Sequence, residues 1–493
     1  MIKFVKTHSF LLSLTLITIF GSLPRIIELL SGNYLFGFDQ GLFYEAVYKI
    51  VVLHQPTLIG AEVGGIGGFF QGPGWYYLLS LAFIAFNGDP YGAMVLMFVL
   101  GILSIVLAGI LFYKQNGTFF ALIFAFLIAA SPGIVSQSRF FWPPFVITPL
   151  TVLFLFAMQK TYSQKKYYMP LAFLLIGVMT HFEIATGGSL LLATIATLFF
   201  IRPKDVISVK IIGISLTAFF ITQLPIVLFD LRHEFIGAKG LLKFLTSGSS
   251  THASYSFSNH LDMYKDVLLI VTGNWLVALL CLALIIYSLM RILRKKTQLK
   301  NKKFILFLIV CPTILFILFL PLKATLWSWW FLELPVFLCL LLARSFVYAF
   351  KIKKVKFFAF LVLLLLWLSS LYQTYYWYKN DLADYGGTAK IKGKIDAIDY
   401  IFADADGKQF GLLVFSPPVY TYPYDYLLKW YAAKKYNFSP KQEITDEFYL
   451  LIEPDPAKPW SYRGWIETVI KRGKVVKTIT LPSGFIIQKR MLE

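Results

Sequence analysis

Phe38-Asp39-Gln40 is the first point in the sequence where residue type and surroundings suggest chemistry. An aspartate set among Phe36, Phe38 and other aromatics, beside long apolar runs, is expected to be partly desolvated. Desolvation favours a raised pKa and a role as general base. The plainer alternative is a helix cap or turn, positions that aspartate prefers. Other ionisable residues gather where apolar runs end: Ser138-Arg139, Thr180-His181-Phe182-Glu183 and Asp230-Leu231-Arg232-His233. Ionisable groups at membrane depth are expensive and point to function. His181 and Glu183 are two residues apart and on a helix would not share a face, so a metal held by the pair is not expected. Cys281, Cys311 and Cys339 all fall inside apolar runs and read as small hydrophobes, with neither a disulfide framework nor a metal-site spacing.

The elements that must position these residues follow from composition. Of 493 residues, 58% are hydrophobic and 18% aromatic, and only 15% are charged. Soluble domains carry roughly 45–50% apolar and about 25% charged residues, so neither a soluble fold nor a disordered chain fits. The net charge of +20 would suggest nucleic acid in a soluble protein, but its distribution points elsewhere. Residues 374–493 hold 17 Lys and Arg against 14 Asp and Glu, while the apolar remainder holds 29 against 12. Those bases cluster in short loops such as Arg291–Lys296 and Lys351–Lys356, the pattern of cytoplasmic loops in a multi-spanning protein. Binding to nucleic-acid phosphates is not needed to explain them.

Twelve apolar runs lie near 8–24, 73–87, 91–112, 118–131, 144–159, 167–181, 185–201, 208–229, 267–290, 304–321, 330–349 and 357–373. The first is read as a retained span, since it lacks a small-x-small cleavage site. The basic loops ask for a cytoplasmic N-terminus and an outer C-terminus, hence an odd number of crossings. A short, broken thirteenth is therefore expected at 132–142, between Ser131-Pro132 and Trp142-Pro143-Pro144. The expected architecture is mainly α: a polytopic helical bundle of 12–13 spans over 1–373, with outer loops 25–71 and 230–266. A small α/β extracytoplasmic domain is expected over 374–493. In it, Ile391–Ala405 and Tyr424–Tyr436 read as helices, and Phe410–Phe415 and Phe448–Ile452 as strands. Val475–Thr480 and Phe485–Lys489 read as strands paired across Pro482-Ser483-Gly484.

Several short blocks, taken in order, resemble the C-superfamily of membrane glycosyltransferases. They are Phe36-Gly37-Phe38-Asp39-Gln40, Gly72-Pro73-Gly74-Trp75-Tyr76-Tyr77, Ser131-Pro132 with Ser138-Arg139, Thr180–Glu183, and Pro225–His233. Within that superfamily the chain is similar to the protein O-mannosyltransferase and aminoarabinose-transferase branch. The likeness covers residues 1–240 by motif and the later spans by architecture. Two departures stand out. Gln71-Gly72-Pro73 stands where the family often has a His or Lys before two prolines. The second acid of the family is matched only approximately, by Glu45.

The resemblance implies an inverting transferase that takes a sugar from a polyprenyl-phosphate donor to a lipid, glycan or protein acceptor outside the cytoplasmic membrane. Asp39 would deprotonate the acceptor, with Gln40 and Glu45 near the substrate. Arg139 and Arg232 are candidate phosphate ligands, because a guanidinium matches phosphate in a bidentate manner; interfacial snorkelling is the alternative. For His181 and Glu183, sugar binding stands beside a structural pair hydrogen-bonded with other helices. Asp230 and His233, with Arg232, open a loop expected to act as a substrate lid through the Ser/Gly/Tyr-rich stretch 247–258. The tyrosines of Ser416–Tyr426 suit sugar stacking or domain contact equally. No metal site is assigned, and a divalent cation stays open. A polytopic transporter or flippase is the competing class; it would want several mid-span charges and an internal repeat, whereas Glu333 is the one acid deep in a run. An O-antigen ligase or polymerase would want a large late outer loop, and residues 322–329 are too few.

Overall fold

The structure, a computed structural model, describes residues 2–64, 66–203, 206–247, 257–294, 302–322, 326–382, 389–417, 420–455 and 457–492. The greater part of the expected lid, as well as Lys204, Asp205, Lys295, Lys296, Pro418 and Val419, lies outside them. The chain forms two compact units, one of residues 1–26, 57–78 and 96–377, the other of 27–56, 79–95 and 378–493.

Each of the twelve apolar runs carries a helix. Among the described residues, five helices are long and apolar enough to cross a membrane: Tyr91–Asn116, Pro143–Tyr162, Val209–Arg232, Lys302–Phe319 and Lys356–Asp381. A sixth candidate is the bent pair Leu261–Thr272 and Trp275–Arg291, whose halves meet at 96°. Five shorter apolar helices accompany them: Gly74–Ala85, Thr118–Ala130, Tyr168–Met179, Ile184–Phe200 and Leu334–Ala349. This is a multi-pass membrane protein. The thirteenth crossing expected at 132–142 is absent as a helix. Proline ends the chain's freedom at both sides, and only Pro132–Gln137 is helical there. Six residues rise about 9 Å at 1.5 Å each, far short of a bilayer.

In the first unit, the Ile2–Ser22 helix packs on Thr118–Ala130, which packs in turn on Leu334–Ala349. Tyr168–Met179 lies against Pro143–Tyr162, Ile184–Phe200 and Val209–Arg232. The last of these exposes Phe220, Ile221, Leu224, Val227, Leu228 and Leu231, an apolar stripe suited to lipid. Arg25, fully buried, ties three elements together. Its guanidinium donates to the carbonyls of Gly21 (2.6 Å), Ala129 (3.0 Å) and Ile128 (3.1 Å) and to Ser138 Oγ (3.2 Å). These bonds satisfy helix C-terminal carbonyls that would otherwise be orphaned, and they hold the segment that carries Arg139.

The second unit contains a four-stranded sheet: β1 (Gly411–Phe415), β2 (Glu447–Ile452), β3 (Lys474–Thr480) and β4 (Ile486–Met491), in the order β1-β2-β4-β3. β1 and β2 are parallel, so the chain must cross over between them, and the helical stretch 422–436 does so. β4 runs antiparallel to both β2 and β3. Central β2 is buried from Phe448 to Ile452, whereas edge strand β3 is exposed and protected by Lys474 and Lys477. The elements expected from the pattern of 374–493 are all present, the 424–436 helix being interrupted by a π-turn at Leu428–Ala432. Residues 27–56 join this unit through backbone bonds from Phe36 N–H to the Ala389 carbonyl (2.8 Å) and from Ile391 N–H to the Tyr34 carbonyl (2.9 Å).

Candidate active site

Asp39, Gln40 and Glu45 fall in the second unit, and the other six residues singled out from the sequence fall in the first. Asp39 sits in the first turn of the helix Phe38–Val51, and Gln40 caps that helix, its Oε1 accepting the Gly37 N–H at 3.0 Å. A helix N-terminus favours the negative charge of a carboxylate. The next turn approaches the C-terminal part of the chain so closely that a Cβ on Gly41 would lie 2.5 Å from the carbonyl carbon of Tyr422. That contact brings Phe38 within 5.6 Å of the Tyr420 ring and 5.3 Å of Tyr422, centroid to centroid. Tyr420 and Tyr422 stack in parallel, 5.4 Å apart, and Tyr420 is more than half exposed. The residue before Asp39 is thus part of a three-ring aromatic surface. Glu45 pairs with Lys429 at 2.6 Å, while its other oxygen is buried without a partner among the described residues.

Asp89 was not singled out, because Asn87-Gly88-Asp89-Pro90 reads as a plain turn. Its carboxyl accepts the Tyr91 N–H at 2.9 Å. Burial raises its pKa above the usual carboxylate range, against the lowering effects of that bond and of Lys434. Tyr44 and Tyr426, centroids 4.9 Å apart, belong to the same cluster.

In the first unit, the Arg139 guanidinium covers the ring of Trp377 at 4.5 Å and is almost fully buried. His181 is held by backbone at both ring nitrogens: Nδ1 accepts the Gly74 N–H at 3.3 Å, and Nε2 donates to the Thr222 carbonyl at 2.6 Å. The Gly72-Pro73-Gly74 motif is its cradle, since a Cβ on Gly72 would lie 2.6 Å from His181 Cγ and one on Gly74 2.8 Å from His181 Cβ. Glu183 caps the helix Ile184–Phe200 by accepting the Ala185 N–H at 3.2 Å. His181 thus bonds to other segments, at Gly74 and Thr222, whereas Glu183 caps its own helix and lies near Glu333. Both Glu333 oxygens are buried and without a partner among the described residues.

Asp230 caps the helix Ile236–Ser247, its two oxygens accepting the Gly237 and Ala238 N–H groups at 2.9 Å each. His233 stacks on Phe229 at 4.0 Å and contacts the Phe229 carbonyl, and Arg232 is exposed in the last turn of its helix. The loop expected as a lid is helical over Ile236–Ser247 and Phe257–Thr272. Among the described residues, no group of three or more His, Cys, Asp or Glu side chains could hold a metal ion.

The chain shares its fold with ArnT from Cupriavidus metallidurans bound to undecaprenyl phosphate, at a TM-score of 0.60 and 10% identity over 98% of both chains. The apo state of the same protein gives a TM-score of 0.59 and 12% identity, again over 98% of both chains. The archaeal oligosaccharyltransferase AglB from Archaeoglobus fulgidus, in complex with an inhibitory peptide and a dolichol-phosphate, gives 0.54 and 14% identity, over 98% of this chain and 74% of AglB. No protein-family model and no curated protein matches the sequence.

Proposed function

We propose that the chain is an inverting glycosyltransferase that moves a sugar from a polyprenyl-phosphate donor to an acceptor hydroxyl at the outer face of the cytoplasmic membrane. The observation that carries this reading is Asp39 in the first turn of its helix, next to the Phe38–Tyr420–Tyr422 surface, in a chain with this fold. The undecaprenyl phosphate and dolichol-phosphate named with ArnT and AglB support a lipid-linked donor. Asp39 takes the acceptor proton as the oxygen attacks the anomeric carbon from the face opposite the departing phosphate. Within the first unit, Arg139 is a candidate partner for a phosphate group. The aromatic surface suits an acceptor with an apolar or glycan face. The basic loops support an inner N-terminus and an outer C-terminal unit.

The test compares membranes carrying wild-type protein or Asp39→Asn, supplied with radiolabelled polyprenyl-phosphate sugars, with and without chelator. Transfer by wild type and loss of about 100-fold or more in the variant is expected for removal of a general base. Equal transfer by both removes Asp39 from the mechanism, and the chelator arm reads any need for a divalent cation.

A further inference from the structure

The first unit contains a cleft of about 400 Å³, lined by Gly133, Ser136, Asp266, Ile270, Ser328 and Trp377 among others. That volume lies within the range of small-molecule sites, roughly 300–1,000 Å³. Its walls come from the short helix Pro132–Gln137, the helix Phe257–Thr272, the turn Ser328–Phe331 and the helix Lys356–Asp381. Two side chains lock these elements: Ser131 Oγ donates to the Ile270 carbonyl at 2.9 Å, and Ser369 Oγ donates to the Thr272 carbonyl at 3.0 Å. The lining therefore belongs to a fixed frame, in which Ser136, Asp266 and Ser328 are exposed to an incoming ligand.

The chemistry of this lining is selective. An indole offers a broad apolar face, two hydroxyls donate and accept, and a carboxylate accepts two hydrogen bonds from vicinal hydroxyls. Asp266 disfavours an anionic group inside the cleft. Arg139 lies against the Trp377 ring. We propose that this cleft binds the ring of a neutral, hydroxyl-rich glycosyl unit, stacked on Trp377 and hydrogen-bonded by Asp266. This rests on the glycosyltransferase reading and extends it to a site for the sugar itself. The ring belongs either to the donor or to a glycan acceptor, and the experiment separates the two.

The test is saturation-transfer difference NMR on the full chain in phosphatidylcholine nanodiscs. The probes are the methyl glycosides of mannose, glucose, galactose and N-acetylglucosamine, with methyl phosphate as the anionic control. Ring protons of at least one glycoside receive saturation and methyl phosphate does not. Trp377→Ala lowers that signal about five-fold or more, the worth of a lost stacking face, while Trp377→Phe retains most of it. Asp266→Asn, at an exposed position that leaves the fold intact, also weakens the signal. Adding the same sugar as its short-chain polyprenyl phosphate displaces the glycoside if the ring is the donor's and leaves it bound if the ring is the acceptor's. No saturation of any of the four glycosides, or an unchanged signal in Asp266→Asn and Trp377→Ala, overturns the proposal. Glycoside binding without transfer in the membrane assay would spare this site and sink the transferase reading; transfer without glycoside binding would do the reverse.

Discussion

Gly72→Ala puts the cradle around His181 to the test. A methyl group there would lie 2.6 Å from His181 Cγ and 2.8 Å from Cε1, well inside the ordinary contact distance of 3.4–4 Å. The opposing group is an imidazole held at both nitrogens, so it cannot swing aside and keep its bonds. If the ring moves, the contacts to Gly74 N–H and the Thr222 carbonyl are lost, at about 0.5–1.5 kcal/mol each. If it stays, the overpacking costs about 1–3 kcal/mol. Either route destabilises the first unit by roughly 1–3 kcal/mol. Thermal unfolding of the full chain in nanodiscs reads the loss. The diagnostic step is the double variant with His181→Ala, which removes the obstructing ring. Gly72→Ala should cost at least about 1 kcal/mol less in that background, as expected for residues in direct contact. Equal costs in both backgrounds, or a Gly72→Ala protein as stable as wild type, would refute the cradle.

Two further predictions concern the C-terminal α/β part. Glu453 Oε2 accepts from Lys394 Nζ (2.6 Å), Tyr424 Oη (2.8 Å) and Ser416 Oγ (3.4 Å), all buried. Glu453→Gln leaves the Lys394 ammonium buried without its counter-ion and should cost about 3–5 kcal/mol, read as a lower denaturation midpoint; Glu453→Gln with Lys394→Met should recover much of it. Asp404 accepts from Lys477 (2.7 Å) and Tyr449 Oη (2.8 Å), with Lys489 at 3.3 Å. The Lys477 hydrogen bond, helped by Tyr449 and Lys489 and opposed by burial, brings its pKa from 3.8 down to about 2. A depressed carboxylate pKa contributes stability above the unfolded value and loses it as pH falls through the folded one. Wild type should therefore lose more stability than Asp404→Asn between pH 3.8 and about 2. The difference should be only about 1 kcal/mol or less, because the pair is solvent-screened; parallel pH profiles would remove Asp404 from the ion network.

The helices were legible because a run of apolar residues is its own signal, needing no knowledge of distant neighbours. The error at 132–142 came from using charge parity to demand a crossing where Pro132 and Pro143-Pro144 leave room for only six helical residues. Strands β1 to β4 were legible from alternation and from the Pro482-Ser483-Gly484 turn, whereas the π-turn at Leu428–Ala432 has no periodic signature. Asp39 drew attention because its aromatic neighbours are adjacent in sequence. Trp377 was missed because its partner Arg139 and the rest of the cleft lie far away along the chain.

The acids show why composition could point to chemistry without assigning it. Scarcity made each acid of the apolar part worth questioning, but scarcity has two causes. Asp230 and Glu183 are spent on backbone N–H groups at helix starts, and Glu62 accepts the Gly68 N–H of a turn at 2.6 Å. A carboxylate in that role holds the frame, so its loss should register in stability before turnover. Asp266 differs, since its carboxylate borders a cleft beside an indole, and Asp39 differs by standing in the turn that carries Phe38 to the two tyrosines. The capping bonds are local, reaching two to eight residues along the chain, whereas the settings of Asp266 and Asp39 are properties of packing between distant segments, which spacing along the chain does not encode.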